Sequence, residues 1–297
     1  MDGEWLYLNG EFGPLAEGRV PIEDRGFQLG DGVYEVIKVL NGHPVWLEDH
    51  LARLHHSLAE VRLSGVLEGH DLAAVLPELV RRSGLVDASI YVQVTRGVAP
   101  REFIFPNPPH PTVLAYARAK HFPQPQEILA GTTLHPVRDQ RWARCDIKST
   151  NLLASVLAKE EAFEAGADEA LFVSPAGVVR EGGSSNVLAV IDGVIRTHPL
   201  NRRILGGITR LHTLEIAHRL GYRVEERSFR LRDVIGPGSA CSEFFTASTT
   251  KDLSPVVRIG DTAIGDGRPG PVTLALLEAM RAEQAALVGL PAPAALT

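Results

Sequence analysis

Cysteine is scarce in this chain: only Cys145 and Cys241 occur in 297 residues. Two thiols so far apart build no disulfide framework, and they point to free cysteines in a reducing, cytoplasmic compartment. Methionine, with two residues, and tryptophan, with three, are nearly as rare. No apolar run approaches the length of a bilayer span, so no membrane segment is expected. Met1-Asp2-Gly3-Glu4-Trp5 has neither a basic region nor an apolar core, and no signal peptide is expected there. Basic charge is not in excess: the formal net charge is -6, which argues against nucleic acid or an anionic membrane as a partner. Spaced metal ligands are missing too. His50, His55 and His56 cluster without a Cys or HExxH companion, so they read as an exposed helix face and no metal is expected.

What remains is 44% hydrophobic and 22% charged, the composition of an ordinary soluble globular protein. In the first half, Leu6 to Asn9, Val33 to Val39, Ile90 to Thr95 and Thr112 to Ala117 read as strands. Asn41-Gly42 reads as a hairpin turn. Glu48 to Arg62 carries an apolar stripe at helical spacing, and Asp71 to Arg82 reads as a second helix. The polar, proline-rich stretch from Lys120 to Gln126 reads as a linker. Beyond it, helices are expected over Asn151 to Ala165, with Thr150 or Asn151 as the cap, Thr209 to Leu220, and Val272 to Leu287. Strands are expected at Leu171 to Val173 and Val187 to Ile191. The class is a mixed α+β fold in two domains: a smaller one over 1–119, a linker over 120–130 and a larger one over 131–297.

Lys148 falls just before the helix expected from Asn151. A lysine held at such a junction and partly buried favours its neutral amine, which is a nucleophile and a base. Those properties suit a Schiff base with an aldehyde cofactor. Such a cofactor also needs an anion at its ring nitrogen and a cradle for its phosphate. Glu181-Gly182-Gly183 offers a carboxylate beside two small residues, though alone it reads more readily as a plain strand-entry turn. Gly206-Gly207-Ile208-Thr209 precedes a helix and offers free N–H groups for a phosphate, or simply a capping turn. Thr246 to Thr250 reads as a hydroxyl-rich loop. On the strand from Val33, Tyr34, Val36 and Lys38 share one face and Glu35 and Ile37 the other. Arg53 stands off the apolar stripe, where pattern alone puts it in solvent. Arg101, on a turn-rich loop, can grip a carboxylate if that loop reaches a cleft.

Several runs in order resemble the fold-type IV pyridoxal-phosphate aminotransferases, in particular their D-amino-acid branch. They are EDRGFQLGDGVYEVIKVLNG from Glu23, VTRGVAPR from Val94, RWARCDIKSTNLLASVLAKEEA from Arg141, EGGSSNV from Glu181, THPLNRRILGGITR from Thr197 and TASTT from Thr246. The resemblance implies a transaminase that moves the amino group of a D-amino acid to a 2-oxo acid such as 2-oxoglutarate or pyruvate. It implies that Lys148 carries pyridoxal 5'-phosphate and serves as the acid/base, and that Glu181 faces the pyridine nitrogen. Arg53, the backbone at Ile208, Thr209, Thr249 and Ser248 would hold the phosphate, and Leu205 would pack near the ring. Tyr34 and Arg101 would bind the substrate carboxylate, with Val36 and Lys38 lining the same face. It further implies a homodimer whose arginine loop reaches the other subunit's site. One departure stands out: Phe103 occupies the position, two residues past the arginine, where this branch usually has a histidine. A phenyl ring neither donates a hydrogen bond nor carries charge. (R)-amine, branched-chain or mixed-specificity transamination therefore stays open, as does aminodeoxychorismate lyase activity on the same fold.

Overall fold

A computed structural model describes residues 4–296. The chain groups into two compact units. The first runs through His121 and also takes in Ile147–Asn151; the second holds Phe122–Asp146 and the chain from Leu152 onward. Two expectations shift with this grouping. The lysine segment, expected in the larger C-terminal domain, packs with the first unit. The stretch expected as a linker over 120–130 contains a helix, Pro125–Ala130, opened where Glu127 accepts the Gln124 N–H at 2.8 Å.

The first unit is a six-stranded sheet under helices. Its strands are β1 (Trp5–Leu8), β2 (Glu11–Pro14), β3 (Gly32–Leu40), β4 (His43–Pro44), β5 (Ala88–Thr95) and β6 (Thr112–Ala119), in the order β2-β1-β6-β5-β3-β4. All its strand pairs are antiparallel. Its helices are α1 (Arg25–Leu29), α2 (Leu47–Glu60) and α3 (Leu72–Ser83). The stripe of Leu51, Leu54 and Leu58 on α2 is buried with Val33, Ile37 and Val39 of β3, as alternation on the strand and 3.6-residue spacing on the helix require. Asn41 and Gly42 both take positive φ in the tight turn between β3 and β4.

The second unit opens with α4 (Pro125–Ala130). It continues through β7 (Thr132–Arg138), α5 (Leu153–Glu164), β8 (Glu169–Val173), β9 (Val179–Gly182), β10 (Asn186–Ile191), β11 (Val194–Thr197), α6 (Ile208–Arg219), β12 (Val224–Glu226), α7 (Leu231–Ile235), β13 (Cys241–Ser248), β14 (Asp252–Ile259), β15 (Thr262–Ala263) and α8 (Pro271–Leu287). Its nine strands form a mixed sheet in the order β12-β11-β10-β13-β14-β7-β8-β9, with β15 on β14. Thr246 to Ser248, expected in a loop, complete strand β13, and only Thr249 and Thr250 lie in the turn after it. The reason is local: Val187 and Asn186 of β10 pair with Thr246 and Ala247, so the hydroxyl run stays in the ladder. Buried Glu243 on β13 accepts the Val272 and Thr273 N–H groups at 3.0 and 2.8 Å and so caps α8 from outside it.

Candidate active site

In the first unit, Lys148 is fixed through its backbone. Its carbonyl accepts the Tyr34 N–H at 2.9 Å, and its own N–H donates to Ser57 Oγ at 3.3 Å. The Thr150 N–H donates to the Gly32 carbonyl at 3.0 Å, and Ile147 is buried in the core of this unit. Residues 147–150 thus lie along the free edge of β3. Thr150 and Asn151 do not cap α5, as expected; both side chains donate to the Gly30 carbonyl, at 3.0 and 3.1 Å, and α5 starts after Leu152 with no side-chain cap. The two side chains are tied to a carbonyl about 120 residues away, and neither offers its oxygen to the free N–H groups of the helix start. The Lys148 side chain is half-buried, with Nζ 4.4 Å from the centre of the Tyr34 ring. Tyr34 in turn stacks on Tyr91, with ring centres 5.7 Å apart.

On the opposite face of β3, Glu35 is fully buried. It accepts Arg53 Nε at 2.7 Å, Arg53 Nη2 at 2.8 Å and His50 Nδ1 at 2.9 Å. Burial pushes the Glu35 carboxyl up, but the Arg53 charge, the hydrogen bonds from Arg53 and His50 and the Lys148 charge outweigh it and hold its pKa at about 2. An ionised carboxylate only accepts, so His50 Nδ1 carries the proton. Burial lowers the His50 pKa, against the pull of Glu35, and the imidazole is neutral. Two expectations change here. His50 is 1% exposed rather than part of a solvent face, whereas His55 and His56 are exposed as expected. The Arg53 side chain is 9% exposed and forked onto Glu35 rather than in solvent.

The linkage has a definite sign. His50 binds a proton more readily when unfolded, so its contribution is full above its ordinary 6.5 and falls as pH drops below it. Glu35 also binds its proton more readily when unfolded, and its contribution is lost as pH falls from its ordinary 4.5 through about 2. Thermal melts are expected to show stability declining as pH falls below 6.5, and His50→Gln is expected to flatten the first part of that decline. Parallel pH curves for the two proteins would refute the assignment to His50.

In the second unit, Glu181 is the penultimate residue of β9 and is 4% exposed. Its Oε2 accepts Asn186 Nδ2 and the Leu205 N–H, each at 3.0 Å; its Oε1 meets Arg141 Nη1. Asn186 Nδ2 also donates to the Leu205 carbonyl at 2.9 Å. The carboxylate is therefore tied through Asn186 to the turn that leads into α6. Burial raises the Glu181 pKa, partly offset by the Arg141 charge. Arg141 is itself held by a fork onto Asp139, with Nε and Nη2 each 3.0 Å from its oxygens. The helix α6 starts on Gly207 with no side-chain cap, and a Cβ at Gly207 would collide with Asn186 Oδ1. Ile208 and Thr209 occupy the first turn of α6, both buried. Ala247 faces Asn186 across the β13–β10 ladder, so Ser248 and Thr249 follow directly past the end of β10 that Asn186 opens.

The expected residues thus fall into two groups. Tyr34, Val36, Lys38, Arg53 and Lys148 lie on or against β3 of the first unit. Glu181, Leu205, Ile208, Thr209, Ser248 and Thr249 lie at one end of β9, β10 and β13 and at the start of α6 in the second. Arg101 is on an exposed loop of the first unit. Sequence reasoning missed four residues: Glu35 and His50, which fix Arg53, and Arg141 and Asn186, which fix Glu181. A carboxylate alternating with Val33 and Ile37 on the core face of a strand was the available signal for Glu35. Nothing in the sequence pairs Arg141 or Asn186 with Glu181.

The mixed α+β fold, with its buried carboxylate tied to an uncapped helix start, is that of an aminotransferase. The chain belongs to the class IV amino-transferase family, whose sequence model matches residues 32–259. Within the family it is similar to the D-alanine aminotransferase of Bacillus licheniformis, with 40% identity over 90% of this chain and 93% of that protein. It is also similar to the D-alanine aminotransferase of Staphylococcus haemolyticus, with 39% identity over 92% of this chain and 95% of that one. Among solved structures it matches a T.th. branched-chain amino acid aminotransferase with pyridoxamine 5'-phosphate, at TM-score 0.82 and 28% identity, over 94% of this chain and 93% of that one.

Proposed function

We propose that this protein is a pyridoxal-phosphate-dependent transaminase that moves the amino group of a D-amino acid, of the D-alanine type, to a 2-oxo acid. The observation that carries the reading is the tie from Glu181 through Asn186 to the Leu205–Gly207 turn. It sets a buried carboxylate and an uncapped helix start in one piece, the acceptor that a pyridinium N–H needs beside the N–H donors that a phosphate needs. Bound pyridoxal phosphate supplies an aldehyde for the amine and a ring that draws electrons from the α-carbon. Lys148 would hold the cofactor, and its freed amine would take the proton from the substrate's α-carbon and deliver it to the carbon that was the cofactor's aldehyde. Glu181 would accept a hydrogen bond from the ring nitrogen and so keep a proton there. The backbone at Ile208, Thr209, Ser248 and Thr249, with Arg53, binds the phosphate, and Leu205 packs beside the ring. Tyr34 and Arg101 orient the substrate carboxylate, and Val36 and Lys38 line the same face.

A second reading rests on Phe103, 84% exposed at the position where the D-amino-acid branch usually has histidine. Without that donor, activity extends toward (R)-amines or branched-chain substrates. The test is a panel of D- and L-amino acids and (R)-amines, each with 2-oxoglutarate and pyruvate. The first reading expects D-alanine with 2-oxoglutarate to be the best pair by kcat/KM. Preference for L-branched-chain amino acids would overturn it, and pyruvate release from aminodeoxychorismate without an acceptor would mark a lyase.

The active form is a homodimer. On α5, Leu153 (71% exposed), Val156 (59%), Leu157 (62%) and Phe163 (74%) present apolar side chains to solvent, more than a lone subunit leaves bare. Sedimentation is expected to give twice the chain mass of 32.2 kDa; a monomer at micromolar concentration would contradict this. A cytoplasmic location accompanies the reading. Both cysteines are buried and free, and burial pushes their thiols up to about 11 and about 12. Cell fractionation checks it.

A further inference from the structure

The loop that carries Arg101 has no regular structure, and Glu102, Phe103 and Ile104 all point to solvent. Phe103 is 84% and Ile104 79% exposed, so the loop gains little from apolar packing of its own. It is nevertheless anchored from beneath. Arg25, buried at the start of α1, donates through Nη1 to the Glu102 and Ile104 carbonyls, on either side of Phe103. Arg96, also buried, lies with its guanidinium 3.6 Å from the centre of the Phe105 ring. One carboxylate holds both arginines: Asp31 Oδ2 accepts Arg25 Nε and Arg96 Nε, each at 2.8 Å, and Oδ1 accepts Arg96 Nη2 at 3.1 Å. The side chains of Arg25 and Arg96 are each 3% exposed. Burying two guanidinium groups is costly, and a single shared carboxylate leaves the cluster with excess positive charge. The remaining donors of Arg96 go to the Val61 and Arg62 carbonyls just past α2, at 2.7 and 3.4 Å. The root of the loop is fixed as well: Gly97 has φ 87°, and a Cβ there would overlap the His110 carbonyl.

We propose that Asp31, with Arg25 and Arg96, is the positioning device of the 101–105 loop and sets how tightly the enzyme holds its substrate's carboxylate. The proposal rests on the reading above that Arg101 meets that carboxylate. None of the three touches substrate; they act through the backbone on which Arg101 and Phe103 stand. A carboxylate grip depends on the angle and distance of a guanidinium fork, so a loop released by a fraction of an ångström weakens binding without altering the chemical step. The same carboxylate, through Arg96, also joins the loop to the C-terminal end of α2, the helix that carries Arg53.

The test uses the holoenzyme with D-alanine and three variants, Asp31→Asn, Phe105→Ala and Arg101→Ala. Asp31→Asn is expected to raise KM for D-alanine on the order of tenfold or more while kcat stays within about twofold. Amide hydrogen exchange over 100–106 is expected to quicken, with β5 and β6 unchanged and pyridoxal-phosphate retention at the wild-type level. Phe105→Ala leaves the buried charges in place and is expected to move KM and exchange in the same direction by less, so it carries the test if Asp31→Asn does not fold. Wild-type KM and exchange in the folded variants would overturn the proposal. So would KM, kcat and cofactor retention worsening together, which is the mark of a general structural role. Arg101→Ala separates the two layers: if it leaves KM unchanged, the assignment of Arg101 to the carboxylate falls, whatever the exchange data say of the loop.

Discussion

Lys148→Ala is expected to lower transamination on the order of 10⁴-fold or more, because in the function proposed one side chain would both anchor the cofactor and move the α-proton. Stability should stay within about 1 kcal/mol of wild type, since the segment is held by the backbone of Lys148, by Thr150 and by Ile147 rather than by the amine. The decisive readout is borohydride reduction, which fixes the cofactor to the wild-type chain by reducing the carbon–nitrogen double bond to the lysine. The variant should bind pyridoxal phosphate without becoming labelled. Labelling that persists in Lys148→Ala would move the role to another amine. Lys38 is the rival to check, because it is 4% exposed and lies on the same strand face as Tyr34.

Glu35→Ala is expected to cost about 3–5 kcal/mol, the scale for stripping the partner from a buried charge. The Arg53 guanidinium, its side chain 9% exposed, would lose the two oxygens it is forked onto, and His50 its hydrogen-bond acceptor. Denaturant unfolding combined with hydrogen exchange in β3 and α2 measures it. A loss below about 1 kcal/mol would show that water replaces the carboxylate and that the network is not a structural keystone. Pyridoxal-phosphate affinity should fall as well, because Arg53 is aimed by Glu35 before it meets any phosphate.

How much of this was legible depends on the range of the interaction concerned. The strand from Val33 was readable because alternation is a local property, and the apolar stripe of α2 because helical spacing is. The same local logic failed for Arg53, which lies off that stripe; for His50, three residues past Leu47 and four before Leu54, it was available but named no partner. Their burial is decided by Glu35, 18 and 15 residues earlier, and no periodicity contains a pairing at that distance. Thr150 and Asn151 had the right chemistry for a helix cap, but their side chains are tied to the Gly30 carbonyl and their oxygens accept nothing from the helix start. The second-unit site was legible as short runs and a resemblance, not as geometry. Asn186 is the clearest case: an asparagine at the start of an apolar strand looks incidental until its amide is seen joining Glu181 to Leu205.

The backbone of residues 147–150 covers β3 along Val33 and Tyr34. During synthesis β3 leaves the ribosome about a hundred residues before that cover, which at roughly 5–20 residues per second is a wait of roughly 5–20 seconds. For that interval the nascent sheet has a bare, strongly apolar edge, the kind of template that pairs with a neighbouring chain. The segment that delivers the reactive lysine is therefore also the last stitch of the N-terminal sheet. A polypeptide cut short before it would be both inert and prone to stick to its own copies.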